Sequence, residues 1–185
     1  MAFFIQKLAR RERKQYKVRS ADPVASVVHV WKKSKKNPFG RKAEFVEQFP
    51  AQVKANHNPM QAIILAAGYG TRLRPYTNIR PKPLFPVCNR PLLHLLLEKV
   101  RDCACWPVLV NSHHLAAQIE AALAPWPEVV LQHEPEILGT GGSLRKALNQ
   151  LQNESVLVMN GDLYHQIDLE QVYHRHLLSK NDVTL

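Results

Sequence analysis

The sequence predicts an α/β fold with a mostly parallel sheet, because short apolar runs alternate with amphipathic segments from residue 60 onward. The apolar runs have the length of buried strands and end at glycine, asparagine or other turn residues. The segments between them carry leucine and valine at helical spacing. Strands that alternate with helices are joined by right-handed crossovers, which place helices on both faces of the sheet. We therefore expect ligand-binding residues beyond the carboxyl ends of the strands.

The individual elements follow from local signals along the chain. The apolar runs predict strands at residues 61–67, 108–110, 128–132 and 156–159. Helical spacing predicts helices at residues 91–103, 115–123, 141–151 and 168–178. Pro91 occupies a first-turn position, and Asp168 is the expected cap of the last helix, with Gln171 at the capping-box position. Residues 182–185 have the pattern of the beginning of a further strand.

The positive charge of the chain is concentrated in its front section. Residues 1–59 contain 14 basic and 4 acidic residues, and residues 60–185 contain 11 of each, so the front section carries the whole net charge of +10. Its basic clusters could bind a polyanion such as nucleic acid or an anionic membrane surface. The alternative is a solvated extension. We predict two segments: residues 1–59 as a basic extension, poorly ordered or outside the folded domain, and residues 60–185 as the domain.

Cysteine spacing and hydropathy restrict the cellular setting. Cys88, Cys103 and Cys105 include no Cys-x-x-Cys pair, so the sequence indicates reduced thiols instead of a zinc site or a disulfide framework. No apolar run reaches the length of a transmembrane helix, and the start lacks the apolar core of a signal peptide. A cytoplasmic location is the default expectation.

A glycine-rich turn follows the first predicted strand, in the stretch Leu-Ala-Ala-Gly-Tyr-Gly-Thr-Arg-Leu-Arg-Pro at residues 65–75. Gly68 and Gly70 lack a Cβ, so the backbone there can take a positive φ and let a ligand approach the amides closely. Successive amide N–H groups in such a loop form a concave anion site. The turn therefore predicts a pocket for phosphate groups.

Two cations accompany this turn. Arg72 offers a planar fork of donors that matches phosphate oxygens, and Lys82 offers a compact charge. Prolines fix φ and remove donors around Lys82, which predicts a stiff extended loop there and not a helix. Together the glycines and the cations indicate a triphosphate pocket. The prolines concerned are Pro75, Pro81, Pro83 and Pro86.

The motif differs from the two commonest glycine-rich phosphate motifs. It lacks the Gly-Lys-Ser/Thr ending of the Walker A pattern, and Leu73 stands where the dinucleotide fingerprint has its third glycine. The whole string instead resembles the signature of the sugar-phosphate nucleotidyltransferases, which make nucleotide sugars. The matching residues are Leu65, Gly68, Gly70, Thr71, Arg72, Leu73, Pro75, Thr77, Pro81, Lys82, Pro83, Pro86 and Val87.

The resemblance covers residues 60–185 and is closest to mannose-1-phosphate guanylyltransferase-like and N-acetylmuramate-1-phosphate uridylyltransferase-like members. It implies the Rossmann-like three-layer sandwich of the nucleotide-diphospho-sugar transferases, apparently truncated at the C-terminus. It also implies transfer of a nucleotidyl group from an NTP, with GTP or UTP expected, to a sugar 1-phosphate, which yields an NDP-sugar and pyrophosphate.

The resemblance further implies roles for individual residues. Arg72 and Lys82 are the expected catalytic residues: Thr71 and Arg72 would hold the β and γ phosphates, and Lys82 would meet the α phosphate and the sugar phosphate. The expected nucleotide-binding residues are Leu65, Ala66, Ala67, Gly68, Gly70, Thr71, Arg72, Lys82, Gly141 and Asn160.

Asp162 is the candidate metal ligand. It follows the apolar run at 155–160 and a glycine turn, where a carboxylate is well placed to hold Mg²⁺ together with substrate phosphates. Its Asn-Gly-Asp context also resembles the metal-binding position of the family. The alternative interpretation is an aspartate that stabilises a turn.

Two other functions remain open from the sequence. One is a nucleotide-binding module without turnover, because members of the family have a longer catalytic domain that supplies a second acidic ligand and most of the sugar pocket. The other is a polyanion-binding protein that acts through residues 1–59.

Overall fold

A computed structural model describes residues 2–6, 29–30, 46–47, 60–151 and 155–185. Residues 1–9 and 58–185 form one compact unit, and residues 10–57 form a second. The second unit contains a short antiparallel pair, β2 and β3, defined below. The prediction of a poorly ordered basic extension falls mainly on residues that lie outside the described ones.

The strands in the described part of the chain are β1 (Ala2–Gln6), β2 (His29–Val30), β3 (Val46–Glu47), β4 (Gln61–Leu65), β5 (Pro86–Val87), β6 (Arg90–Pro91), β7 (Val108–Ser112), β8 (Val130–His133), β9 (Ser155–Asn160) and β10 (Val183–Thr184). The helices of the described residues are α1 (Leu92–Asp102), α2 (Ala116–Leu123), α3 (Gly139–Ala147) and α4 (Leu169–Ser179). Single 3-10 turns lie at Thr71–Leu73, Tyr76–Asn78 and Lys82–Leu84.

The main sheet has six strands in the order β10-β1-β9-β4-β7-β8. The pairs β9–β4, β4–β7 and β7–β8 are parallel, so the predicted mostly parallel α/β sheet is confirmed. The register places Leu65 opposite both Asn111 and Asn160, which brings the carboxyl ends of three strands together. Strand β1 lies antiparallel between β9 and β10, a pairing that no sequence pattern indicated.

Side chains of alternate strand residues pack on opposite faces of the sheet, as the period of two requires. Ile63 and Leu109 face α3 and its following turn, whereas Ile64 and Val110 belong to the larger core that includes α1, α2 and α4. Most residues of the central strands are fully buried because helices cover both faces. These two cores give the predicted three layers.

Most predicted elements occur with shifted ends. Helix α3 begins at Gly139, two residues before its predicted start at residue 141. Helix α4 begins after Asp168, whose side chain accepts a hydrogen bond of 3.0 Å from the N–H of Gln171, as the predicted cap requires. Within the described residues, no helix is long and apolar enough to cross a membrane.

The predicted extended loop around Lys82 is wrong, because residues Lys82–Leu84 form a single 3-10 turn. The N–H of Leu84 donates to Pro81 O at 2.9 Å, and that of Phe85 donates to Lys82 O at 3.0 Å. Pro83 occupies the beginning of this turn, where a missing N–H removes no internal hydrogen bond. Proline therefore permits the turn that it was expected to prevent.

Candidate active site

A cleft of about 390 Å³ opens at the carboxyl ends of β4, β7 and β9. This is the position that an open parallel sheet favours for ligands. Its walls are the turn after β4, the turn that carries Lys82, the beginning of α3 and the end of β9. The lining residues are Leu65, Ala66, Ala67, Gly68, Gly70, Thr71, Arg72, Leu73, Lys82, Pro83, Asn111, Glu134, Ile137, Gly139, Thr140, Ser143, Asn160 and Asp162.

The sequence-predicted site residues converge on this cleft with one exception. Of the described residues that line it, ten belong to the predicted nucleotide-binding and metal set. Gly141 is not among the lining residues, and its predicted nucleotide contact remains a prediction. Because α3 begins at Gly139, that residue and Thr140 form the wall where Gly141 was expected.

The backbone conformation of the glycine loop, the glycine-rich turn at residues 65–75, requires a glycine at Gly70 more than at Gly68. Gly70 has φ 62° and ψ 32°, and a Cβ added there would lie 2.8 Å from Thr77 Cγ2. The buried Thr77 hydroxyl donates to Gly70 O at 3.0 Å and so fixes this left-handed residue. The absence of a Cβ permits a positive φ at both Gly68 and Gly70, but among the described glycines only Gly70 and Gly139 have one. At Gly68 an added Cβ would meet no described atom within 4 Å, so this glycine leaves open space in the cleft wall.

Two histidines that follow β7 form hydrogen bonds to the glycine loop and to the 3-10 turn after it. His113 Nδ1 donates to Glu134 O at 2.9 Å, which leaves Nε2 to accept from the Tyr69 hydroxyl, also at 2.9 Å. His114 Nε2 donates to Thr77 O at 2.6 Å. These hydrogen bonds fix Tyr69 and Thr77 on either side of Gly70.

Lys82 and Asp162 form an ion pair in the cleft, with Nζ 2.6 Å from Oδ2. Lys82 projects from a turn anchored by the buried Pro83. Asp162 follows Gly161, whose N–H donates to Leu65 O at 2.8 Å and ties the end of β9 to the end of β4. The two side chains are 29% and 36% exposed, so an entering ligand can reach both. Thr71 and Arg72 lie on the neighbouring 3-10 turn with exposed side chains.

A buried hydrogen-bond network lies beneath the loop and was not predicted as part of the site. Asn111 Oδ1 accepts from the N–H of Ala66 at 2.6 Å, and its Nδ2 donates to Glu134 Oε1 and to Ser143 Oγ, each at 3.0 Å. The N–H of Ala66 is therefore engaged within the protein. A carboxylate two residues after the run at 128–132 was the available signal for Glu134, because this strand end joins the same edge of the sheet.

Glu134 is fully buried, yet the pKa of its carboxyl group is lowered. Burial raises the pKa of Glu134, but its polar contacts with Ser143, Asn111, Gln132 and the Leu138 N–H together place the pKa below its ordinary value. The Gln132 Nε2 and Leu138 N–H donors lie 3.2 and 3.4 Å from the carboxylate oxygens. The floor of the cleft thus contains an ionised carboxylate with several donors around it.

The cysteines play no part in the cleft. Cys88, Cys103 and Cys105 are free thiols, as the sequence predicted. Burial raises the pKa of Cys105 to about 12.

Comparison with known proteins agrees with this geometry. The family described as "Nucleotidyl transferase" matches residues 61–185. The chain is 33% identical over 129 residues to the D-glycero-alpha-D-manno-heptose 1-phosphate guanylyltransferase of Aneurinibacillus thermoaerophilus, which covers 68% of this chain and 56% of that relative. It is 36% identical over 119 residues to the N-acetylmuramate alpha-1-phosphate uridylyltransferase of Neisseria meningitidis serogroup B, which covers 62% of this chain and 52% of that relative.

A solved structure shares the fold. The crystal structure of HddC from Yersinia pseudotuberculosis complexed with GMP-PN superposes with a TM-score of 0.58 at 28% identity, over 64% of this chain and 54% of that chain. The chain thus spans about half the length of these relatives. Because the matched residues include β4, the glycine loop, Lys82 and Asp162, the predicted resemblance is confirmed, and the chain belongs to the nucleotidyl transferase family.

Proposed function

We propose that this chain takes part in the transfer of a nucleotidyl group from an NTP to a sugar 1-phosphate, with an NDP-sugar and pyrophosphate as products. The observation that carries the proposal is the cleft in which Lys82, Asp162 and the glycine loop meet. Relatives named as sugar 1-phosphate guanylyl- and uridylyltransferases support the same assignment.

The residues of the cleft suit this reaction because its work is alignment and charge neutralisation. The phosphate oxygen of the sugar is already anionic, so its attack on the α phosphorus needs no general base. We assign Thr71 and Arg72 to the β and γ phosphates, which leave as pyrophosphate. Lys82 is assigned to the α phosphate and the sugar phosphate, where its charge offsets the negative charge of the transition state.

Asp162 is the residue that would hold Mg²⁺. Its carboxylate lines the cleft and is about one-third exposed, which fits an ion that is usually bound by one or two carboxylates and substrate phosphates. Among the described residues, no group of three or more His, Cys, Asp and Glu residues could hold a metal ion alone. The triphosphate would therefore supply further ligands. Bound Mg²⁺ would neutralise charge on the leaving pyrophosphate.

GTP and UTP are the proposed donors, because the two relatives compared above are named as guanylyl- and uridylyltransferases. We also propose a cytoplasmic location, which suits three free thiols.

The experiment is a screen of the full chain for release of pyrophosphate. Sugar 1-phosphates are paired with GTP, UTP, dTTP and CTP in the presence of Mg²⁺, and NTP binding is measured separately by calorimetry. We expect release with GTP or UTP. Binding of NTP without release from any pair would refute the transferase assignment and favour a nucleotide-binding module.

We also propose that the basic front section, residues 1–59, binds a polyanion. The support for this proposal is the sequence alone, since the net charge of +10 lies entirely in these residues. Binding to nucleic acid should weaken steeply with salt and disappear when the clusters at 10–14 and 32–36 are changed to alanine. Unchanged binding after that change would contradict the proposal.

A further inference from the structure

We infer that Asn111 and Glu134 are positioning residues that set the geometry of the nucleotide pocket. They connect the first amide of the glycine loop to the beginning of α3, so that two walls of the cleft share one hydrogen-bond network. The inference rests on the proposed function, because it assumes that the cleft binds an NTP.

The side chain of Asn111 forms hydrogen bonds with three different segments of the chain. It lies opposite Leu65 in the parallel register, so its carboxamide reaches the first residue beyond β4. Oδ1 accepts from Ala66 N at 2.6 Å, and Nδ2 donates towards Glu134 and Ser143. The side chain is 2% exposed, so water does not replace these partners. A residue without both an acceptor and a donor at this place would leave buried groups unsatisfied.

Glu134 determines which way the Asn111 carboxamide points. An ionised carboxylate only accepts hydrogen bonds, so Nδ2 must face it and Oδ1 must face the N–H of Ala66. The backbone of Glu134 is also fixed, because its N–H donates to Ser112 O at 2.8 Å. The orientation of the carboxamide therefore follows from the position of a buried charge on the neighbouring strand end.

Ser143 extends the network to the opposite wall. Its hydroxyl accepts from Asn111 and donates to Gly139 O at 2.8 Å, while Ser143 O accepts from Gln132 Nε2 at 3.1 Å. Gly139 and the glycine loop both line the cleft. A rotation of the Asn111 carboxamide would consequently disturb both walls, and small displacements of binding groups reduce affinity strongly.

The decisive experiment exchanges donor and acceptor between the two residues. Asn111→Asp keeps the acceptor for Ala66 but turns a carboxylate oxygen towards Glu134. Glu134→Gln then offers an amide donor to that oxygen. With GTP and UTP as probes, we expect Asn111→Asp to raise Kd at least tenfold. The double variant Asn111→Asp/Glu134→Gln should recover part of this loss but not all of it, because Gln132 Nε2, which lies 3.2 Å from Glu134 Oε1, would then face an amide donor.

Further measurements separate positioning from a loss of folding. Glu134→Gln alone changes no side-chain volume, and we expect it to raise Kd about threefold at an unchanged circular dichroism spectrum. In turnover, KM for the NTP should rise while kcat and KM for the sugar 1-phosphate change little. Asn149→Asp and Glu120→Gln make the same chemical changes at exposed positions and serve as controls.

The outcomes are distinct for the two proposals. NTP binding that is unchanged in Asn111→Asp, or a double variant that binds no better than the single one, overturns the positioning role. A wild-type chain that binds no NTP overturns it as well. A wild-type chain that binds NTP, responds to these variants as expected and releases no pyrophosphate refutes the transferase function alone.

Discussion

Lys82 Nζ lies 2.6 Å from Asp162 Oδ2, although 80 residues separate the two side chains in the sequence. The contact joins the proposed phosphate cation to the proposed metal ligand. Each charge neutralises the other before a ligand enters. A triphosphate that binds Lys82 would release Asp162 for a metal ion, so the two events should support each other.

Replacement of Lys82 tests the cation itself. Lys82→Ala should lower kcat/KM by a few orders of magnitude, because it removes a positive charge that stabilises the transition state. Steady-state pyrophosphate release measures the effect. Arg80→Ala is the control, since Arg80 is an exposed cation outside the lining of the cleft. Undiminished turnover in Lys82→Ala would refute the assignment.

Replacement of Asp162 tests the metal site. Asp162→Asn removes the charge but keeps the shape, so the Mg²⁺ concentration needed for half-maximal turnover should rise about tenfold or more. Binding of Mn²⁺ to the NTP complex, measured by electron paramagnetic resonance, should weaken in parallel. Asp182→Asn, at an exposed position, should change neither quantity. An unaltered Mn²⁺ affinity in Asp162→Asn would place the metal elsewhere.

Replacement of Gly161 should lower the stability of the protein, because this glycine packs against the backbone of β4. A Cβ there would lie 2.8 Å from the backbone oxygen of Leu65 and 3.3 Å from Ile64 Cγ2, so Gly161→Ala must displace one strand end. We expect a loss of about 1–3 kcal/mol in the free energy of unfolding, measured in urea. Gly68→Ala is the contrast: its Cβ meets no described atom, and the change should stay within about 0.5 kcal/mol. Equal losses in both variants would contradict this packing.

The pKa of Glu134 predicts how its contribution to stability varies with pH. Because the pKa of this carboxyl is lower in the folded protein than its ordinary value of 4.5, its stabilising effect is fully present above about pH 4.5. The effect is lost as the pH falls through the lower folded-state pKa. The difference in unfolding free energy between the wild type and Glu134→Gln should therefore be largest near neutral pH and narrow towards pH 3. Urea titrations at several pH values measure it, and a difference independent of pH would contradict the assignment.

The sequence predicted those parts of the site whose signals are local. The apolar run before Gly68, the cations at Arg72 and Lys82, and the position of Asp162 after a strand each depend on a short segment. Parallel strand ends then meet at one edge, which explains why these residues share a cleft.

The remaining features depend on contacts that no short segment contains. The Lys82–Asp162 pair and the Asn111–Glu134 hydrogen bond follow from strand order and register, which join positions 80 and 23 residues apart. The 3-10 turn at Lys82 has no clear sequence signal, because proline usually ends a helix, although the first turn of a helix tolerates it. Strand β1 was missed because its five residues carry no turn signals that separate it from its surroundings.

The position of β1 has a consequence for any shortened form of this protein. All five of its residues pair with β9, the strand that ends at Asn160 and leads into Asp162. In a chain that began at Met60, the backbone N–H and C=O groups of β9 and β10 that pair with β1 would lose their partners. Such exposed strand edges recruit strands from other molecules. We therefore expect the shortened chain to self-associate through the strand that precedes the proposed metal ligand.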